Sequence, residues 1–268
     1  MINYTERIAL LMQDVVARTA RLSFIDLTEV IVFARFGRSG AEGAFATCHC
    51  LTLPESEPGY FFWKDRETGQ LTRRSQWFVT KSPLVRVGDR EIKYLISFVL
   101  PRFSDQTLVG SRKQDLYPGV PPWIAKLDTI VHELYHIDPA ASGIRALETA
   151  DGTHSYRTHG PLFYENVASM VHEYLATKPD PALYDFLQYD FAGLTEAFGG
   201  VVGTTFSNFP SFPQRYIETV DLPAADPCVK VEPLKTRSQP PVYTESDLYI
   251  RQFTGDRSRR LGRKDFAA

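Results

Sequence analysis

The stretch Lys126–Pro139, KLDTIVHELYHIDP, limits the fold of this chain more than any other. Leu127, Ile130, Val131 and Leu134 recur at helical spacing and, with Trp123 upstream, make a broad apolar face. Pro121 and Pro122 suit a helix start, and Pro139 cannot continue one. A helix this apolar has to pack into a core. It also carries His132, Glu133 and His136. Successive helical residues turn 100°, so residues four apart lie almost above one another. His132 and His136 therefore point the same way and can hold one metal ion ~2.0–2.1 Å from each nitrogen. Glu133 leaves the helix about 100° away, where its carboxylate reaches a water on the open side of the ion without becoming a ligand. Two ligands and a general base on one turn is the HExxH arrangement. Zinc lowers the pKa of bound water to about 7, and a nearby carboxylate takes the proton as the water attacks a carbonyl. The competing reading is an ordinary amphipathic core helix, because HExxH also arises by chance.

The segments around this helix predict an α+β fold. Residues 4–21 have Ile8, Leu11, Val15 and Val16 at helical spacing, with Thr5 as the cap. Residues 29–36 (EVIVFARF) and 43–53 (GAFATCHCLTL) read as strands separated by the turn GRSGAEG. Residues 59–79 read as a hairpin folded at ETG, and 90–103 as a strand ended by Pro101. The expected sheet is small and mostly antiparallel. After the metal helix, a loop of about twenty residues is longer than packed domains usually carry without a functional reason. A second helix then starts at Pro161, with Phe163, Val167, Met170, Val171 and Tyr174 as its stripe. A third is expected over 180–198, capped by Asp180, before a late strand in GGVVGTTF. From Asp221 five prolines and weak periodicity predict an extended arm. The division is a domain over 1–220, and an arm with a basic tail over 221–268.

A catalytic zinc needs a third protein ligand and an open fourth position. Downstream stand Glu148, Asp151, His154, His159 and Glu165. The metzincin spacing fails twice, with Pro139 where a glycine and Ser142 where a histidine belong. Glu165, on the next helix, would serve in the manner of thermolysin-like enzymes. His159 fits better. It stands between the loop DGTHSYRT and a helix opened by Gly160 and Pro161, a junction that fixes a side chain rigidly.

HELYH followed by HGPLF resembles the SprT-like zinc metallopeptidases, whose motif is HExxH, a loop, then HGxxF. The likeness spans about residues 1–180 and is specific at the two short motifs. It implies a zincin-like fold, with the sheet packed on the HExxH helix. It implies one zinc ion per chain on His132, His136 and His159, with Glu133 as general base, and hydrolysis of protein or peptide substrates. Some members of the family digest proteins crosslinked to DNA, and many carry a C-terminal zinc ribbon. Cys228 is the only cysteine after position 200, so this chain has no ribbon. A phage or mobile-element member of the wider group fits that departure. In the zincin arrangement, strand 90–103 would offer its edge to an extended substrate.

Other residues and the composition narrow the field. Cys48 and Cys50 face one side of a strand and His49 the other, so CHC predicts two cysteines on a core face rather than a metal site. His154 and Tyr156 are weak candidates for oxyanion stabilisation, and His172 lies beside an apolar stripe. Three cysteines are too few and too odd a number for a disulfide scaffold, which points to a reducing, cytoplasmic setting. No apolar run approaches the roughly 20 residues of a membrane span. A net charge of -2 gives no whole-chain attraction to nucleic acid. Locally, Arg251, Arg257, Arg259, Arg260, Arg263 and Lys264 oppose only Asp256 and Asp265, so DNA is a candidate partner through a basic C-terminal tail. Two other functions fit the same residues: a Glu-ligated zinc peptidase acting on one regulatory protein, and a non-catalytic zinc-containing protein- or DNA-binding module.

Overall fold

The computed structural model describes residues 1–51, 79–81, 84–111, 113–141, 143–145, 147–148, 154–155, 159–207, 216–218 and 242–262. The expected hairpin over 59–79, apart from its final residue, lies outside these, as do Asp151, Tyr156, Cys228, most of the arm and residues 263–268.

The chain opens with a two-residue strand, β1 (Ile2–Asn3), and helix α1 (Tyr4–Arg18). The cap is Asn3, whose side chain accepts from the Glu6 amide, rather than Thr5, which is buried. Strands follow as β2 (Val30–Gly37), β3 (Ala46–Cys50), β4 (Val79–Lys81), β5 (Leu84–Val87), β6 (Arg90–Glu91) and β7 (Tyr94–Pro101). Then come α2 (Ile124–Tyr135), β8 (Leu147–Glu148), β9 (His154–Ser155), α3 (Pro161–Ala176) and α4 (Phe191–Phe198). The remaining strands are β10 (Val201–Phe206), β11 (Tyr216–Glu218), β12 (Val242–Tyr243), β13 (Leu248–Phe253) and β14 (Ser258–Arg260).

The fold is α+β, but its small sheets are mixed rather than mostly antiparallel. β2 pairs with β7 in parallel, as do β1 with β10 and β12 with β5. Parallel pairing needs a long crossover, and residues 38–93 supply it between β2 and β7. The central sheet runs β2-β7-β3, so β3 does not fold back on β2 across GRSGAEG; β7 lies between them. Every residue of β7 is buried, as a strand covered on both faces must be. Both edges of β7 are occupied. Among the described residues the outer strands of this sheet are β2 and β3, which corrects the expectation that strand 90–103 presents an edge.

Alternation divides the side chains of this sheet. Tyr94, Ile96, Phe98 and Leu100 of β7, with Ala34 and Ala46, join α1, α2 and α3 in the main core. Phe33 and Leu95 face the other way and meet Val85, Phe206 and Tyr243 in a second, smaller core. α2 lies across the first face, with Ile130, Val131 and Leu134 fully buried.

The third expected helix is broken. Residues 181–183 and 185–188 are separate 3-10 turns, and α4 begins only after Asp190, whose side chain accepts from the Gly193 amide. The carbonyls of Leu187 and Tyr189 bond the buried Lys126 ammonium instead of helical amides, at 2.9 and 2.6 Å. The segment expected as arm and tail is also partly built in. β13 pairs with β10 along its whole length, and β14 pairs with β13, so Arg251, Arg259 and Arg260 lie on strands.

Candidate metal centre

The site grows from the C-terminal turn of α2 and the N-terminus of α3. His132 lies in the last turn of α2, and His136 follows it as the helix cap, its backbone still helical. Arg145 closes this helix end. Its side chain donates to the Tyr135 carbonyl and its amide to the His136 carbonyl, both at 2.8 Å. His159 stands before Gly160, the cap of α3, and Pro161, its first residue. α2 and α3 pack together, which brings the three histidines to one place.

The imidazoles converge through one nitrogen each. His132 Nε2 lies 3.2 Å from His136 Nε2, which lies 3.0 Å from His159 Nε2. Ligands of a tetrahedral ion at ~2.0–2.1 Å sit about 3.3 Å apart, close to these spacings. Three neutral imidazole nitrogens aimed at one point cannot all satisfy one another by hydrogen bonding. One ion accepts all three lone pairs. Among the described residues these three alone form a group able to hold a metal ion. Phe163 fixes their orientation, its ring centroid 4.7, 5.2 and 4.5 Å from those of His132, His136 and His159. The Nδ1 atoms of His132 and His136 are buried without a hydrogen-bond partner. Metal-bound histidines usually donate from that nitrogen; here aromatic packing holds the rings.

Burial is the first cause that lowers all three histidine pKa values. His136 falls to about 3, helped by His159 and Arg145, and His132 is pushed well down with help from His136 and Lys113. His159 falls through burial alone. Neutral imidazole is the form that binds metal.

Glu133 is not part of the histidine group and lies near Cys48 of β3. It is 5% exposed, and the nearby Cys48 backbone favours its charged form. Burial raises its pKa to about 8, against the pull of that backbone and of the Lys113 and Arg35 charges. A dication beside it would act against burial. Cys48 pairs with Ile96 in a position whose backbone groups face away from β7, so the general-base candidate lies near the outer side of β3.

The other candidates fall elsewhere. Glu165 is exposed on α3 and outside the histidine group. Glu148 and His154 pair through their backbones in the β8–β9 ladder. His172 is exposed, its ring 5.4 Å from Tyr117. Cys48 and Cys50 pack partly into the main core. His49 faces the opposite side, as alternation requires, and its Nε2 lies 3.3 Å from Ser97 Oγ. Missing from the sequence reading is the ion pair of Lys113 with Asp128, where Tyr117 also donates to the carboxylate at 2.7 Å. Asp128, one turn before His132 in an apolar helix, was its visible signal.

Comparison with protein-family models, with curated proteins and with solved structures yields no match to this chain. The resemblance of HELYH and HGPLF to the SprT-like peptidases therefore stands on those residues alone. No helix among the described residues is long and apolar enough to cross a membrane.

Proposed function

We propose that the protein is a zinc-dependent metalloendopeptidase of zincin-like architecture, with His132, His136 and His159 as ligands and Glu133 as general base. The observation that carries this reading is the convergence of three Nε2 atoms at the end of the helix that also carries Glu133. Zinc, when bound, supplies Lewis acidity toward a carbonyl oxygen and toward water. The chain's own residues do the rest. The outward backbone groups of β3 take an extended peptide as an added strand, so main-chain bonds orient it across the end of α2. Glu133 takes the proton of the attacking water on a carboxylate oxygen and passes it to the leaving amine nitrogen. Phe163 keeps the histidine rings in place. DNA contact belongs to the same proposal through β13 and β14, where Arg260 and Arg251 lie 4.4 and 5.6 Å from the Tyr249 ring centre. The free Cys48 thiol suits a cytoplasmic location.

The test separates metal binding from chemistry. Glu133→Gln keeps all three imidazoles but cannot accept a proton. Cleavage of an unfolded protein should fall by roughly 10²–10⁴-fold or more while zinc content stays at one per chain. His132→Ala should lose both. A Glu133→Gln protein as active as the parent, or a zinc-loaded parent that cleaves nothing in a broad panel of proteins, would refute the proposal.

A further inference from the structure

Arg35 is a cation on the face of the central sheet opposite the histidines. It stands on β2, two strands away from β3, and its side chain runs diagonally across β7. Nε donates to Ser97 Oγ on β7 at 3.1 Å, and Nη2 reaches Thr47 Oγ1 on β3 at 3.4 Å. Ser97 and Thr47 are opposite one another in the ladder. The guanidinium head thus arrives beside the edge strand.

Among the described residues this head has only neutral hydrogen-bond acceptors. Among the described residues, Arg35 forms no ion pair with a carboxylate. Ser97 is fully buried and also contacts His49, a group that burial and Arg35 hold neutral with a pKa of about 4. The nearest cationic company is Arg102. Its Nη2 lies 3.4 Å from the point where a Cβ on Gly37 would stand, at the next position along β2 on the same face as Arg35. Burial first, and then the Arg102 charge, push the Arg35 pKa below the usual arginine value, while the Glu133 charge, not in contact, acts the other way. A half-buried guanidinium with spare donors and no ion-paired carboxylate among the described residues gains most from a carboxylate in contact, which takes two of its N–H groups at once.

β3 is the edge that the proposed function assigns to substrate, and the role assigned to Arg35 rests on that reading. A strand added to β3 alternates its side chains between the two faces of the sheet. One set points toward the histidines and Glu133. The other set stands next to Thr47, where the Arg35 head lies. We infer that Arg35 is a specificity-determining residue, selecting substrates with an aspartate or glutamate on the far face of the added strand. Cys48, whose backbone lies near Glu133, is the immediate neighbour of Thr47. The selected acid therefore lies within about two residues of the cleaved bond.

The experiment is cleavage-site profiling with the zinc-loaded full chain. The probe is a peptide pool made by digesting unfolded cell protein, with cut sites read by mass spectrometry. The parent should favour sites with Asp or Glu at one fixed position by at least about tenfold over Asn or Gln, the scale of a hydrogen bond to a charged group. Arg35→Gln should lose that preference while still cutting neutral peptides. Arg35→Lys, which keeps the charge without the fork, should retain a weaker preference. A purely structural role for Arg35 would lower cleavage of all peptides alike and leave the ratio unchanged. Cleavage without acid preference, or a preference that survives Arg35→Gln, overturns the inference and leaves the peptidase reading intact. No cleavage by the parent removes the peptidase reading, and the inference with it.

Discussion

Lys126 offers a prediction whose size is set by the structure. It sits on α2, 3% exposed, and its ammonium group bonds the carbonyls of Leu187 and Tyr189. Burial lowers its pKa from 10.5 to about 8, with Asp105 and Asp190 pulling the other way. In the unfolded chain the group titrates near 10.5. Between pH 8 and 10.5 the unfolded state therefore holds more protons than the folded one, and stability rises with pH. The Lys126 contribution is fully present above 10.5 and is lost as pH falls through 8. A shift of about 2.5 units corresponds to about 3 kcal/mol, of which roughly 2–3 kcal/mol appears between pH 7 and 10. Lys126→Met removes the titrating group at similar volume. The assay is urea unfolding of parent and variant at pH 7, 8, 9 and 10. The difference in stability should move by that amount in favour of the parent as pH rises. Comparing the two proteins cancels the titration of other groups. A difference independent of pH would refute the reasoning, since it would mean the folded lysine titrates like a free one.

Two further outcomes come from packing. Phe163→Ala removes the ring that touches all three imidazoles, so it should cost about 3–5 kcal/mol in thermal or denaturant unfolding and weaken zinc affinity in a chelator competition. Removal of residues 242–268 strips β13 from β10 and exposes the long edge of that strand, so the truncated protein should lose its cooperative unfolding transition; a truncated chain as stable as the parent would show that β13 adds nothing.

The helices around the site were legible because their signals are local. The α2 stripe, the Gly160–Pro161 junction and the one-turn spacing of His132 and His136 are written within a few residues of one another. The pairing of strands was not, because period two fixes which way a side chain faces but not which strand lies alongside. β7 did carry a sign of its central place: YLISFVLP has almost no polar interruption, as a strand covered on both faces requires. The broken helix over 180–198 hid for another reason. Its carbonyls are taken by Lys126, more than fifty residues earlier. Nor does a short window show that an arginine-rich segment will form β13 and β14, since their apolar partner Phe253 packs with residues from the other end of the chain.

The sheet of β1, β10, β13 and β14 has a consequence for biogenesis. It joins residues 2–3 to 201–206, and those to 248–260. Contacts so distant in sequence form slowly, and a ribosome delivers about 5–20 residues per second. The core under the histidines includes Ile2, Val201 and Phe253, so it closes only once β13 has left the exit tunnel. A nascent chain thus carries its histidines for many seconds before the frame that aligns them exists, so any metal binding there waits for the synthesis of β13.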